Sequence, residues 1–171
     1  DLDGDLDLAV AGWSDITAGT RLFRNDGPQG DRPVVFTDVT GTAVQFGVVI
    51  TSRPETRGFS PNFVDMNGDL YPELLLVADF ETSQYFVNNG DGTFTDASAA
   101  SGTCQEDNGM GQTVADFDND GLPDWYVTSI YGSGRTGNKL YLNRGDHVYD
   151  ETSGAGGVAQ VGWAWGTSAF D

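Results

Sequence analysis

Asp116, Asp118, Asp120 and Asp124 stand at positions 1, 3, 5 and 9 of a short segment, with Gly121 at position 6. Side-chain oxygens on alternate positions can curl around a hard cation. Ca²⁺ takes six to eight oxygens in irregular geometry, so such a loop plus the carbonyl at position 7, here Leu122, suits it. The same phase returns at Asp65, Asn67, Asp69 and Glu73, with the Tyr71 carbonyl at position 7. The chain opens inside a third copy, where Asp1, Asp3 and Asp7 fall on positions 3, 5 and 9 and Asp5 supplies the carbonyl. It stops at Asp171, position 1 of a fourth. The expectation is bound Ca²⁺ in about two complete loops, with partial loops at the two chain ends. An opening in mid-motif is what an excerpt of a longer array would show.

Two further patterns keep step with the acidic loops. Leu22-Phe23-Arg24-Asn25-Asp26-Gly27 aligns without gaps to Tyr85-Phe86-Val87-Asn88-Asn89-Gly90 and to Leu140-Tyr141-Leu142-Asn143-Arg144-Gly145. Phe36-Thr37-Asp38 is repeated as Phe94-Thr95-Asp96 and as Val148-Tyr149-Asp150. Repetition of this kind decides architecture before local propensity does. The approximate units are 1–57, 58–108 and 109–161, with a further one beginning over 162–171. Extra residues in the first unit fall at 28–33 and around 45–57, both rich in turn formers or polar residues, as surface loops are.

The local reading is all β. Glu73-Leu74-Leu75-Leu76-Val77 and Trp125-Tyr126-Val127-Thr128-Ser129-Ile130 are short apolar runs bounded by turns. No stretch has sustained helical periodicity. Asn89-Gly90-Asp91-Gly92 marks a hairpin, because Asn and Gly accept positive φ cheaply. Each unit therefore reads as four short antiparallel strands, the acidic loop joining the first two. That is the blade of a β-propeller, and about three blades of a larger ring or array are visible.

These motifs resemble the FG-GAP or VCBS repeats of integrin-α-type propellers. Leu140-Tyr141-Leu142-Asn143, Gly92-Thr93-Phe94-Thr95-Asp96 and Gly162-Trp163-Ala164-Trp165-Gly166 resemble the cartilage acidic protein and ASPIC/UnbV group within them. The resemblance implies one calcium in the first hairpin of each blade, held by the loop residues named above. One position departs from the pattern. Leu70 stands where the glycine of position 6 belongs, and positive φ there would strain a residue with a Cβ. Gly4 and Gly121 keep the glycine in the other loops.

Composition narrows the function. The 171 residues carry 26 acidic and 8 basic side chains, a net charge of −18, which disfavours nucleic acid. Apolar residues at 38% and aromatics at 12% argue for a packed core rather than an acidic disordered tail. There is no membrane-length apolar run. Cys104 is the only cysteine and His147 the only histidine, so neither an internal disulfide nor a Ser-His-Asp triad is expected. Gly132-Ser133-Gly134-Arg135-Thr136-Gly137 spells a dinucleotide fingerprint, but it joins two strands and opens no helix, so it reads as a hairpin. EF-hands are excluded because strands follow the loops and Leu76 and Val127 occupy position 12.

The four tryptophans are read mainly as packing between blades. Trp163 and Trp165 alternate with small residues and are expected on one buried face of a strand; Trp13 is the one expected to be exposed. The functional expectation is a non-catalytic binding, adhesion or assembly module, secreted, at the cell surface or in the periplasm. Its partners would be a protein or glycan on the loop faces, or further copies through blade edges. The alternatives are the propeller part of a secreted polysaccharide lyase or hydrolase, and a subunit of an extracellular filament or surface layer.

Overall fold

The computed structural model describes residues 3–13, 19–46 and 56–171. Three antiparallel sheets follow one another along the chain. The first joins β1 (Leu8–Val10), β2 (Arg21–Asn25) and β3 (Phe36–Asp38) in sequential order. The second is a four-stranded meander of β4 (Arg57–Val64), β5 (Glu73–Asp79), β6 (Gln84–Asn88) and β7 (Phe94–Asp96). The third is the same meander built from β8 (Gln112–Ala115), β9 (Asp124–Val127), β12 (Lys139–Asn143) and β13 (Tyr149–Glu151). Between β9 and β12 a small hairpin of β10 (Tyr131–Gly132) and β11 (Arg135–Thr136) stands out as its own two-stranded sheet. The Gly-rich segment is thus the hairpin its sequence implies. The sheets are propeller-like blades, and no barrel closes.

The pattern of burial explains the sequence of β5. Every residue from Glu73 to Asp79 is buried, and the strand reads as a continuous apolar run rather than an alternation. Successive side chains point to opposite faces of a sheet. In β5 both faces are covered. Leu74 joins Phe86, Leu22, Ala43 and Val44 in the cluster facing the first sheet. Leu75 and Val77 join Tyr85, Trp125, Val127, Tyr141 and Tyr149 in the cluster facing the third. The middle blade is therefore sandwiched, and burying such side chains contributes about 1.5–3 kcal/mol each.

Polar contacts pin the second and third sheets together. Gln112 on β8 donates from Nε2 to the Ser60 carbonyl at 2.5 Å and accepts from the Trp125 indole at 2.8 Å. Tyr85 and Tyr149 exchange a hydrogen bond between their hydroxyls at 3.1 Å, one from each sheet. Burial pushes both phenols above the ordinary tyrosine range.

One short element adds to the expectation, and two tryptophans depart from it. A single helical turn, α1 (Ser98–Ser101), follows β7 and is closed by Gly102 in the left-handed conformation. It is too short to leave a helical period in the sequence. The extra residues 28–33 form an exposed loop between β2 and β3, closed by reciprocal bonds between Gln29 and Arg32. Those around 45–57 lie largely outside the described residues.

Trp163 and Trp165 are not core. They are 64% and 56% exposed and stack on each other with centroids 6.2 Å apart. The segment carrying them makes one isolated bridge, Ile130 to Trp163, rather than a full strand, and among the described residues only Trp165 meets a sheet, edge-on to Phe59 of β4 at 5.9 Å. Trp13 is half-exposed as expected, and its indole N–H reaches the Asp79 carboxylate at 3.2 Å.

Candidate metal loops

The two complete acidic loops lie between the first and second strands of their sheets, and they fold alike. At position 1, Asp65 accepts backbone N–H bonds from Gly68, Asp69 and Leu70 at 2.7, 3.2 and 2.9 Å. Asp116 accepts from Asp120 and Gly121 at 3.1 and 2.9 Å. At position 5, Asp69 accepts from the N–H of Tyr71 and Asp120 from that of Leu122, at 2.7 and 2.9 Å. These bonds curl the backbone around its own carboxylates. In the first loop Asp3 likewise accepts from the Asp5 N–H at 2.9 Å, while Asp1 lies outside the described residues.

Position 9 is different in kind. Glu73 and Asp124 are fully buried at the starts of β5 and β9. Each accepts the N–H of position 2, Met66 at 2.8 Å and Phe117 at 2.7 Å, and so closes its loop. Burial raises both carboxyls above the usual carboxylate range, against the pull of these backbone donors. Asp69 is held below that range, chiefly by the Asn67 amide and the Tyr71 N–H.

The asparagine that ends β2, β6 or β12 clamps the acidic loop of its own blade from behind. The N–H of Asn25 bonds Asp7 at 2.9 Å, and that of Asn143 bonds Asp124 at 2.8 Å. The side-chain amides of Asn25, Asn88 and Asn143 donate to the position-8 carbonyls of Leu6, Pro72 and Pro123. Their amide oxygens accept from Gly27, Gly90 and Gly145. The in-phase recurrence of Asn25, Asn88 and Asn143 carried this signal in the sequence, although its purpose only becomes clear in three dimensions. Asn143 also reaches the Met66 carbonyl at 2.8 Å, so it ties one blade's loop to the next.

The residues fit a hard cation unequally. Asp116, Asp118 and Asp120 each offer an oxygen within 4.8 Å of the others, so this cluster could hold a metal ion. Asp124 lies outside that group, with its oxygens turned to Phe117 and Asn143. In the loop of Asp65, Asn67 replaces a carboxylate at position 3, and its amide donates to Asp69 at 2.9 Å. Glu73 Oε1 is buried there without a hydrogen-bond partner, an acceptor that a cation would satisfy. Asp171 is exposed and joins no such cluster among the described residues.

Comparison with known families agrees with this geometry. Residues 65–127 match the FG-GAP-like repeat. The matched repeat starts on position 1 of one acidic loop and ends in β9, after the next. No curated protein matches the chain. The FG-GAP-like match supports the repeat family and the blade architecture, and it spans both complete loops.

Two side chains near the FG-GAP-like loops were not foreseen. His147, from the turn between β12 and β13, lies 2.8 Å from the Tyr85 hydroxyl and 3.3 Å from the Asn67 amide. Arg144, from the same turn, reaches the acids of its own blade's loop. Cys104 is free and packs against the core; burial pushes its thiol up, away from nucleophilic use. No helix among the described residues is long and apolar enough to cross a membrane.

Proposed function

We propose that this chain is a calcium-stabilised, non-catalytic β-propeller segment that works outside the cytoplasm as a binding, adhesion or assembly module. The observation that carries the reading is the Asp116–Asp118–Asp120 cluster, in a loop whose fold is repeated at Asp65. Asp116, Asp118, Asp120 and the Leu122 carbonyl would hold one ion, with Asp124 closing the loop. Asp65, Asn67, Asp69, Glu73 and the Tyr71 carbonyl would hold another. Calcium would supply positive charge to carboxylates already gathered and would lock the first hairpin of each blade.

All ligands of a site come from one loop beside one neighbouring blade, so the role is structural rather than sensory. Structural calcium sites of extracellular modules bind at about 10⁻⁴–10⁻³ M, and a loop used this way fits an extracellular or periplasmic setting. The kinship to the ASPIC/UnbV group belongs to this proposal. The exposed, stacked Trp163 and Trp165, with Val161 beside them, favour assembly against another sheet face, since patches of this kind mark interaction surfaces. Protein and glycan ligands of the loop faces remain the other partner class.

The test is calorimetric titration of chelator-stripped protein with CaCl₂, followed by glycan and protein arrays run in calcium. About two binding events support the reading. Absence of heat, with identical melting in calcium and EDTA, would leave the acidic loops as solvated turns and sink it.

A further inference from the structure

Arg144 holds the Asp118 carboxylate through Nη1 at 3.1 Å and comes within 3.9 Å of Asp120. Its Nε holds Asp150 on β13 at 2.9 Å. The guanidinium thus spans two of the three clustered acids on one side and an anchor outside the loop on the other. The equivalent residues in the other blades do nothing of the kind. Asn89 is engaged with Thr93 and Thr95, and Asp26 with Arg24 and Thr37. Of the two complete loops, 116–124 is the one whose carboxylates pair with an arginine among the described residues.

We propose that Arg144 is a resident counter-cation of loop 116–124, competing with calcium there and lowering that loop's affinity relative to a chain without it. The inference rests on the calcium reading above and adds a regulatory element to it. Three carboxylates within a few ångströms repel one another, and a nearby positive charge relieves that repulsion. When a divalent ion enters, the same guanidinium becomes a like charge beside it. Asp150 gives Arg144 a place to remain when it leaves Asp118 and Asp120. The loop then keeps its shape without metal and fills at higher calcium than its acidic count implies.

The test uses the whole chain carrying Asp65→Asn, which disables the other complete loop, with Arg144 intact or changed to Gln or Lys. Calcium binding is read by calorimetry after chelator treatment, and melting curves in EDTA verify that each variant folds. Arg144→Gln should tighten calcium binding about tenfold and lower the metal-free melting temperature. Arg144→Lys, which keeps the charge, should stay near the parent. Asp150→Asn should weaken binding in the parent and have little effect once Arg144 is Gln. Equal or weaker calcium binding in Arg144→Gln would overturn the role of Arg144 and leave the calcium sites standing. No calcium heat in any of the proteins would overturn both.

Discussion

At the scale of single residues, the acidic loops make their strictest demand at position 6, where the backbone turns left-handed. Position 6 of the acidic loop has φ of 98° at Gly4, 92° at Gly121 and 76° at Leu70. The missing glycine did not change the loop; the leucine adopted the glycine's conformation. Its side chain is 74% exposed, so packing returns little for the strain. Leu70→Gly is expected to stabilise the metal-free protein by about 0.5–1 kcal/mol, the left-handed penalty less the entropy glycine adds to the unfolded chain. Gly121→Ala should cost about 0.5–1 kcal/mol by the same balance, with no steric clash, since nothing lies within 4 Å of the added Cβ. Urea melts in EDTA check both; a neutral Leu70→Gly would mean that the strain is relieved in a way the φ angle does not register.

A second residue-scale prediction concerns Glu106, fully buried, with Oε2 accepting from the Tyr141 hydroxyl at 2.7 Å and Oε1 unpartnered. Burial raises its carboxyl above 4.5, the ordinary glutamate value. The folded state therefore keeps this proton to a higher pH than the unfolded chain does. The stability it contributes is complete below the unfolded value and is lost as pH rises through the folded one. Glu106→Gln should flatten that part of the stability–pH curve, measured in EDTA from pH 4.5 upward. Parallel curves for the two proteins would show that Glu106 does not titrate in that range.

At the scale of elements, the decisive device is the strand-ending asparagine behind each acidic loop. Asn143 is almost fully buried and makes two carbonyl contacts through one amide nitrogen, on Met66 and Pro123. Asn143→Ala would strand those carbonyls and the Gly145 N–H, at a cost of about 3 kcal/mol. Asn88→Ala, with one carbonyl contact and partial burial, should cost less, and Asn25→Ala least. An equal loss at all three sites, by urea denaturation, would contradict the view that the link between blades sets the ranking.

The loops, the strand order of each blade and the phase of Asn25, Asn88 and Asn143 were legible because they recur in register along the chain. What recurs once was not. The turn Asp79-Phe80-Glu81-Thr82 has positive φ at Phe80 and Glu81 and closes through Thr82 N–H to the Asp79 carbonyl at 3.2 Å. Two-residue turns of that shape ask for Asn-Gly, so Phe-Glu gives no sequence signal. The tertiary setting holds it, with Phe80 beside Trp13 and the Arg57 guanidinium. The contact of His147 with Asn67, eighty positions apart, is invisible for the same reason. Trp163 and Trp165 failed in the opposite direction: their alternation is that of a strand, but the segment forms a single β-bridge, at Ile130, rather than a ladder.

At the scale of the whole molecule, the charge of the chain and a metal bound in its loops would act together. A net charge of −18 on 171 residues opposes compaction, and the acidic loops concentrate that charge at the blade hairpins. Two ions each present at a hundred times their dissociation constants would stabilise the fold by about 5 kcal/mol, worth about 10–20 °C in melting temperature at this size. The competing explanation for any such shift is general screening, since salt also quiets surface charge over a Debye length of about 8 Å at physiological ionic strength. The two separate experimentally. In EDTA, raising NaCl from 0.1 to 0.5 M should recover only a minor part of the shift that millimolar calcium produces. Magnesium, which demands stricter octahedral geometry and sheds water reluctantly, should fall well short of calcium at the same concentration. If NaCl or magnesium matches calcium degree for degree, the loops are screened rather than occupied, and the blades hold together through the two apolar interfaces around β5 alone.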